Sequence, residues 1–264
     1  MARELINALA GNVECVTELS EAEQLILSEI EPQRIHCDKG SVVFREGEPA
    51  HSFLLVEHGI CFNHRHLEDG SRQIIDLYFP GEMVALGELS SAYHSSGLTA
   101  FSDAVILGYD KAEIKERFSR SPSLSRLFIE LMSQEQANLT ERLVGVSRHC
   151  ARQRVAHFLL EVHFRSSRAM NFNSRVPRPS IFEIGQPESG RSALVSIPQV
   201  LIADALGLSV VHVNRVLRQF RQEALTQTQC HGIEILDLEG LKSVAGWLSA
   251  EPRIAPAQMP QISK

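Results

Sequence analysis

The stretch QVLIADALGLSVVHVNRVLR, residues 199–218, decides the fold of the C-terminal third of this chain. Ile202, Leu206, Leu208, Val213, Val216 and Leu217 recur at helical spacing and give one inward face. Gly207 breaks the run with a residue free to adopt positive φ, which marks a tight turn between two short helices. Ala203, four residues earlier, is small enough to let the second helix approach the first. Ser209 stands where an N-cap belongs, so its hydroxyl can accept an early backbone N–H. Val210, Val211, His212, Asn214, Arg215 and Arg218 are left at the helix start or facing outward. Any helical hairpin can use a glycine turn and apolar spacing. Asn and Arg on the outer face favour a helix-turn-helix whose second helix enters a DNA groove. On that reading Arg215 forks onto guanine O6 and N7, and Val210 or Val211 touches a thymine methyl. Asn214 reads adenine or holds a phosphate, and Gln199 holds backbone phosphate.

The charge distribution agrees. The chain has 264 residues and a net charge of −6, which by itself argues against a nucleic-acid partner. Residues 1–146, however, carry 12 Lys+Arg against 23 Asp+Glu, whereas residues 147–247 carry 12 against 8. The positive charge lies where phosphates would be met. Eleven of those 12 basic residues are Arg, the side chain suited to forked contacts. The 44% hydrophobic and 22% charged content is that of a soluble globular chain large enough for two domains. No run of about 18 apolar residues predicts a membrane span, and the first 20 residues lack a signal-peptide pattern. Five scattered cysteines suit a reducing cytoplasm.

Outward from the helix-turn-helix, the texture changes. Ser20 and Glu23 form a capping box for a short helix. QRIHCD, SVVFRE, SFLLVEHG, ICFNHRHL, RQIIDLYF, LTAF and AVILGY then read as strands between about 33 and 109, separated by turns such as Glu68-Asp69-Gly70 and Pro80-Gly81. Strands this short and frequent predict a small barrel or roll. Asp110 caps the next helix, with Glu113 placed to complete a box. Residues 121–146 form a long amphipathic helix whose stripe includes Leu124, Leu127, Phe128, Leu131, Leu139, Leu143 and Val146. Such a stripe serves its own roll or a second chain. The expectation is a two-chain contact through Leu124, Phe128, Leu131, Leu139, Leu143 and Val146, with Glu135 and Asn138 interrupting the heptads. Residues 151–164 predict another helix, 165–191 a Ser-, Arg- and Pro-rich connector, and SALVSI with GIEILDL a paired wing. The expected organisation is α+β: a jelly-roll-like β-roll over 1–120, a dimerisation helix over 121–147, a winged helix-turn-helix over 148–248 and a disordered tail over 249–264.

VVFREGEPAHSFLLVEHG, DGSRQIIDLYFPGEMVALGEL and IADALGLSVVHVNRVLRQFRQEAL together resemble the Crp/Fnr family of bacterial transcription regulators, over about residues 18–247. The resemblance implies a cyclic-nucleotide-binding-like sensor roll, a dimerisation helix and a winged helix-turn-helix. It implies a homodimer on palindromic double-stranded promoter DNA, contact with RNA polymerase, and a small-molecule effector of unidentified chemistry. Gly87, Glu88, His94 and Ser95 fall where the family's effector site lies. His94 stands where cyclic-AMP binders carry an Arg, and His is a poor bidentate partner for phosphate at neutral pH. Cyclic nucleotide is therefore not expected, nor any resident cofactor. The family's iron–sulfur members use clustered cysteines, where this chain has isolated Cys15 and Cys37. Its haem members use a Cys and a His where this chain has Ala85 and Gly87.

Remaining chemistry is thin. Cys61, His64 and His66 form a candidate metal group without an evident fourth ligand. Cys230 is a candidate redox thiol, though a lone cysteine is usually inert. No P-loop, G-x-S-x-G or H-E-x-x-H occurs, so no enzymatic activity is expected. A sensing roll without specific DNA binding is the alternative; salt-dependent DNA binding separates the two.

Overall fold

The computed structural model describes Leu5, Ala8 and residues 20–172, 193–229 and 232–247. Runs of apolar and β-branched residues between glycine turns form eight strands: β1 Gln33–Cys37, β2 Val42–Phe44, β3 Ser52–His58, β4 Cys61–His66, β5 Arg72–Tyr78, β6 Met83–Val84, β7 Gly97–Ala100 and β8 Ala104–Asp110. They make two four-stranded antiparallel sheets, ordered β1-β8-β3-β6 and β2-β7-β4-β5. Phe44, Leu54, Val56, Cys61, Leu98 and Ile106 fill the space between them. The turn from β3 to β4 requires Gly59: at φ 80° a Cβ would lie 2.3 Å from the Asp103 carbonyl oxygen. The expected β-roll is therefore present, with β6 as a strand the sequence pattern did not reveal.

Helices close the roll. α1, Glu21–Ser28, starts at the Ser20–Glu23 capping box. α2, Lys111–Arg120, is capped by Asp110, which accepts from the Ala112 and Glu113 N–H groups; Glu113 itself turns to Arg117. α3, Pro122–Arg148, begins with Ser121 as N-cap and Pro at the first turn, where its missing N–H costs nothing. Leu124, Leu127 and Leu131 of α3 are buried with Leu27, Leu55 and Ile114, and Phe128 packs against the same cluster. Here the structure corrects the expected dimer stripe. Leu124, Phe128 and Leu131 serve their own roll, while Leu139, Leu143 and Val146 are exposed.

α4, Ala151–Phe172, is a full two turns longer than the pattern over 151–164 indicates. The rest of the connector and the 249–264 tail lie outside the described residues. β9, Ala193–Val195, leads to α5, Gln199–Leu206, and α6, Val210–Gln222. β10, Thr226–Gln229, and β11, Gly232–Ile235, follow, and β11 pairs with β9 on its other side. The expected wing is thus a three-stranded sheet. GIEILDL is not strand throughout: Asp237 caps α7, Leu238–Ala245, by accepting from the Gly240 N–H.

The two halves share a core. Ile60, Phe62, Ile74, Leu77 and Phe79 from the outer face of the second sheet pack with Val155, Leu159, Leu201, Ile202, Val213 and Leu217. At about 2 kcal/mol per large apolar side chain removed from water, this contact outweighs the ion pairs at its margin. At the same margin sits a buried ionic junction. Asp76 accepts from Arg142 of α3 at 2.7 Å and from Arg165 of α4 at 2.8 Å. Arg165 also forks onto Glu82, at 2.9 and 2.6 Å, and both arginines bond Glu161.

Candidate nucleic-acid interface and sensor crevice

Gly207 takes the left-handed conformation at φ 60°, ψ 39°, and closes α5 with a Leu208 N–H to Ala203 carbonyl bond of 3.0 Å. Arg154 of α4 donates to the Leu206 carbonyl at 3.0 Å, satisfying another orphan acceptor at that helix end. Ser209, extended at ψ 150°, caps α6 by accepting from the His212 N–H at 3.2 Å. The two helices meet at 110°, within the range for helix-turn-helix units.

α6 presents the expected faces. Val213, Val216, Leu217 and Phe220 are buried. Val210, Val211, Asn214, Arg215 and Arg218 are exposed along one side, and Val211 at 79% is the most open apolar residue there. A valine left this bare on a face shared with Arg215 and Arg218 has no stabilising role in the chain itself. His212 is half-buried beside the capping turn and Gln199 half-buried at the start of α5, so the outermost of the expected DNA-contacting positions are Val211, Asn214, Arg215 and Arg218. Sequence reasoning missed two neighbours. Gln219 and Gln222 extend the exposed face, and Arg221 donates to Thr228 of β10 at 2.6 Å, tying the helix to the wing. The helical period would have revealed Gln219 and Gln222 had it been continued past residue 218.

In the roll, Glu88, His94 and Ser95 come together. Glu88 accepts from His94 Nδ1 at 2.8 Å, from the Ser95 N–H at 2.7 Å and from the Ser95 hydroxyl at 2.5 Å. Burial pushes the Glu88 carboxyl up, and the Ser95 and His94 bonds more than offset it, leaving it below the usual carboxylate range. The His94 ring stacks on Phe44 at 3.5 Å and 9°. Lys111 donates to the Glu88 carbonyl at 2.7 Å, and burial lowers its pKa. The crevice between Phe44, Leu54, Val84, Glu88, His94 and Lys111 has no interior space for even a water-sized guest. Gly87 is exposed and makes no contact that a side chain would disturb, so it does not line the crevice.

The Cys61, His64 and His66 group does not form a metal site. Cys61 points into the core between the sheets, where burial pushes its thiol up to about 12. His64 instead packs edge-on with His66 at 5.0 Å and bonds the Thr99 hydroxyl. Cys61 and His64 stand three residues apart on β4, so the alternation of the strand turns them to opposite faces. Among the described residues no other cluster of His, Cys, Asp and Glu could hold a metal ion. Cys15 and Cys230 lie outside the described residues.

Residues 34–121 match the cyclic nucleotide-binding domain, and residues 153–244 match the Crp-like helix-turn-helix domain. The chain is similar to the transcriptional regulatory protein btr of Bordetella pertussis, 27% identical over 83% of this chain and 84% of that protein. It is also similar to the nitrogen fixation regulation protein FixK of Bradyrhizobium diazoefficiens, 27% identical over 86% of each. The solved structure of FixK2 from Bradyrhizobium japonicum shares the fold, with a TM-score of 0.66 over 81% of this chain and 96% of that one at 20% identity. The chain belongs to the Crp/Fnr family of DNA-binding transcription regulators. The relatives are regulators and not enzymes. Among the described residues no single helix is long and apolar enough to cross a membrane.

Proposed function

We propose that this protein acts in the cytoplasm as a homodimeric, sequence-specific regulator that binds a palindromic promoter site and contacts RNA polymerase there. The observation that carries the reading is the face of α6, where Val211, Asn214, Arg215 and Arg218 stand exposed on a helix whose opposite side is fully buried. Arg215 reads guanine, Val211 meets a thymine methyl, and Asn214 meets adenine or a phosphate. Gln199 meets phosphate from the start of α5.

Dimerisation is supported by α3. Ile129, Met132, Gln136, Leu139, Leu143 and Val146 alternate at three and four residues, the spacing of a coiled-coil seam. Ile129, Leu139, Leu143 and Val146 are 46–69% exposed in the single chain. Glu135 and Asn138 flank this seam rather than interrupting it. The organisation into a sensor roll over 1–120, a dimerisation helix over 121–147 and a DNA-binding unit over 148–248 follows the same reading. The roll takes no cyclic nucleotide, because the donors of His94 and Ser95 are already spent on Glu88.

Selection of bound DNA from a random pool, with and without candidate nucleotides, tests the proposal. A two-fold consensus with half-sites one helical turn apart is the expected result. Binding without sequence preference would overturn it.

A further inference from the structure

The α5 helix does not hang free beside the roll. Its C-terminal end is gripped by β5. Arg72 donates through Nε and Nη2 to Asp204 Oδ2, at 3.0 and 2.6 Å. The Arg72 guanidinium also lies over the Phe62 ring, 4.9 Å from its centroid, which holds the fork in place. Next along the strand, Gln73 donates to the Ala205 carbonyl at 3.1 Å. A Cβ at Gly207 would lie 3.6 Å from Gln73 Oε1, so the turn glycine itself borders this contact. These bonds join residues 132 apart in sequence and cross from the roll to the helix-turn-helix.

We propose that Arg72, Gln73 and Asp204 form a clasp that sets the orientation of the recognition helix before DNA arrives, and that they are positioning residues for DNA recognition. The clasp holds α5 at the end opposite Gln199, and it leaves Val211, Asn214, Arg215 and Arg218 exposed. Closure is thus compatible with DNA binding rather than opposed to it. Two recognition helices must reach half-sites one turn apart at once. Loss of the clasp leaves that orientation to the shared apolar core and the Asp76 junction, so the competent orientation is occupied for less of the time and the apparent affinity falls by that fraction. The clasp raises the fraction in each protomer without touching a base.

The inference rests on the DNA-binding reading, and one experiment separates the two. The full-length dimer is titrated with its selected palindrome at fixed salt as wild type, Arg72→Ala, Asp204→Ala and the double variant. Hydrogen exchange of the 199–206 amides is followed in parallel without DNA. Each single variant should weaken binding about three- to tenfold, the effect of losing a partly exposed ion pair in both protomers. The salt dependence should not change, since no phosphate contact is lost. The double variant should lose no more than the worse single, because both act through one contact. Exchange over 199–206 should rise in all three. Gln73→Ala, which removes the one hydrogen bond to Ala205 of α5 and a local one to the Ile74 carbonyl, should weaken binding about twofold, and it carries the test if a charge variant fails to fold. Wild-type affinity in the variants, tighter binding, or additive losses would overturn the clasp. If the wild type selects no consensus, the DNA-reading proposal fails, while unchanged exchange over 199–206 would sink the clasp independently.

Discussion

At Arg215 two roles compete, and affinity alone does not separate them. The side chain is exposed on the same face as Val211 and Arg218, and on the proposed reading it meets either a base edge or a phosphate. Arg215→Ala should cost about 1–3 kcal/mol per half-site and relax preference at one base pair in each half. Gln199→Ala should weaken matched and mismatched sites alike. Titrations of both variants on matched and mismatched DNA at one salt concentration decide; an equal loss on every sequence makes Arg215 a phosphate clamp. The same scale settles the crevice. Glu88 has three donors already bound, and His94 is stacked on Phe44. Calorimetry with cyclic AMP or cyclic GMP should show no binding at micromolar concentration; heat that saturates there would mean that His94 and Ser95 let go of Glu88 readily. The outward residues of α6 were legible because helical period and a glycine turn fix which side is wet. The His94–Phe44 stack was not, since nothing local in either segment announces a partner on a distant strand.

α3 performs two tasks with one helix, and the division between them falls along its length. Leu124, Leu127 and Leu131 are buried in the roll, so charging any of them unfolds its own protomer. Leu139 and Leu143 are exposed in the single chain, at 46% and 69%. Leu139→Glu with Leu143→Glu should therefore leave the fold intact, as read by circular dichroism, yet shift sedimentation from dimer to monomer and abolish binding to the full palindrome. A dimer that persists would move the interface to another surface. Amphipathic pattern told that the helix had a broad apolar face but not where the roll stops and the seam begins, because both demand leucine. Elements fared differently for stated reasons. Strands bounded by Gly or Pro and helices with Ser or Asp caps could be read directly. β10, TQTQ, has no apolar alternation because only Thr226 is buried. α7 was hidden behind Asp237, whose capping role looks like a turn in the middle of an apolar run. The C-terminal turns of α4 carry Ser and Arg that suggested a loop, although Arg165 there is spent on the junction with Asp76 and Glu82.

The whole molecule is held in one arrangement by a shared apolar core and by the ionic junction at its edge. That junction joins the roll, through Asp76 and Glu82, to α3 through Arg142 and to α4 through Arg165 and Glu161. It is the one place among the described ion pairs where the roll, α3 and α4 meet, so together with the apolar core and the Arg72–Asp204 contact it holds α3 against the unit that carries α5 and α6. Burial alone would raise the Asp76 carboxyl; Arg142 and Arg165 overcome it and hold the group down to about 2. A carboxylate whose folded pKa lies below its unfolded value stabilises the fold fully above pH 4, and that contribution fades as the pH falls from about 4 toward 2. From the size of the depression it amounts to about 2 kcal/mol. Asp76→Asn keeps the shape and removes the charge, leaving two half-buried guanidiniums short of a partner, at a cost of about 3 kcal/mol near pH 7. Denaturant melts of wild type and Asp76→Asn at pH 7, 5 and 3 should show a gap that is constant between pH 7 and 5 and narrows by pH 3, as the wild type begins to lose what the variant never had. A gap unchanged down to pH 3 would show that Asp76 is not held as a depressed carboxylate, and that Glu82 and Glu161 alone balance the two arginines.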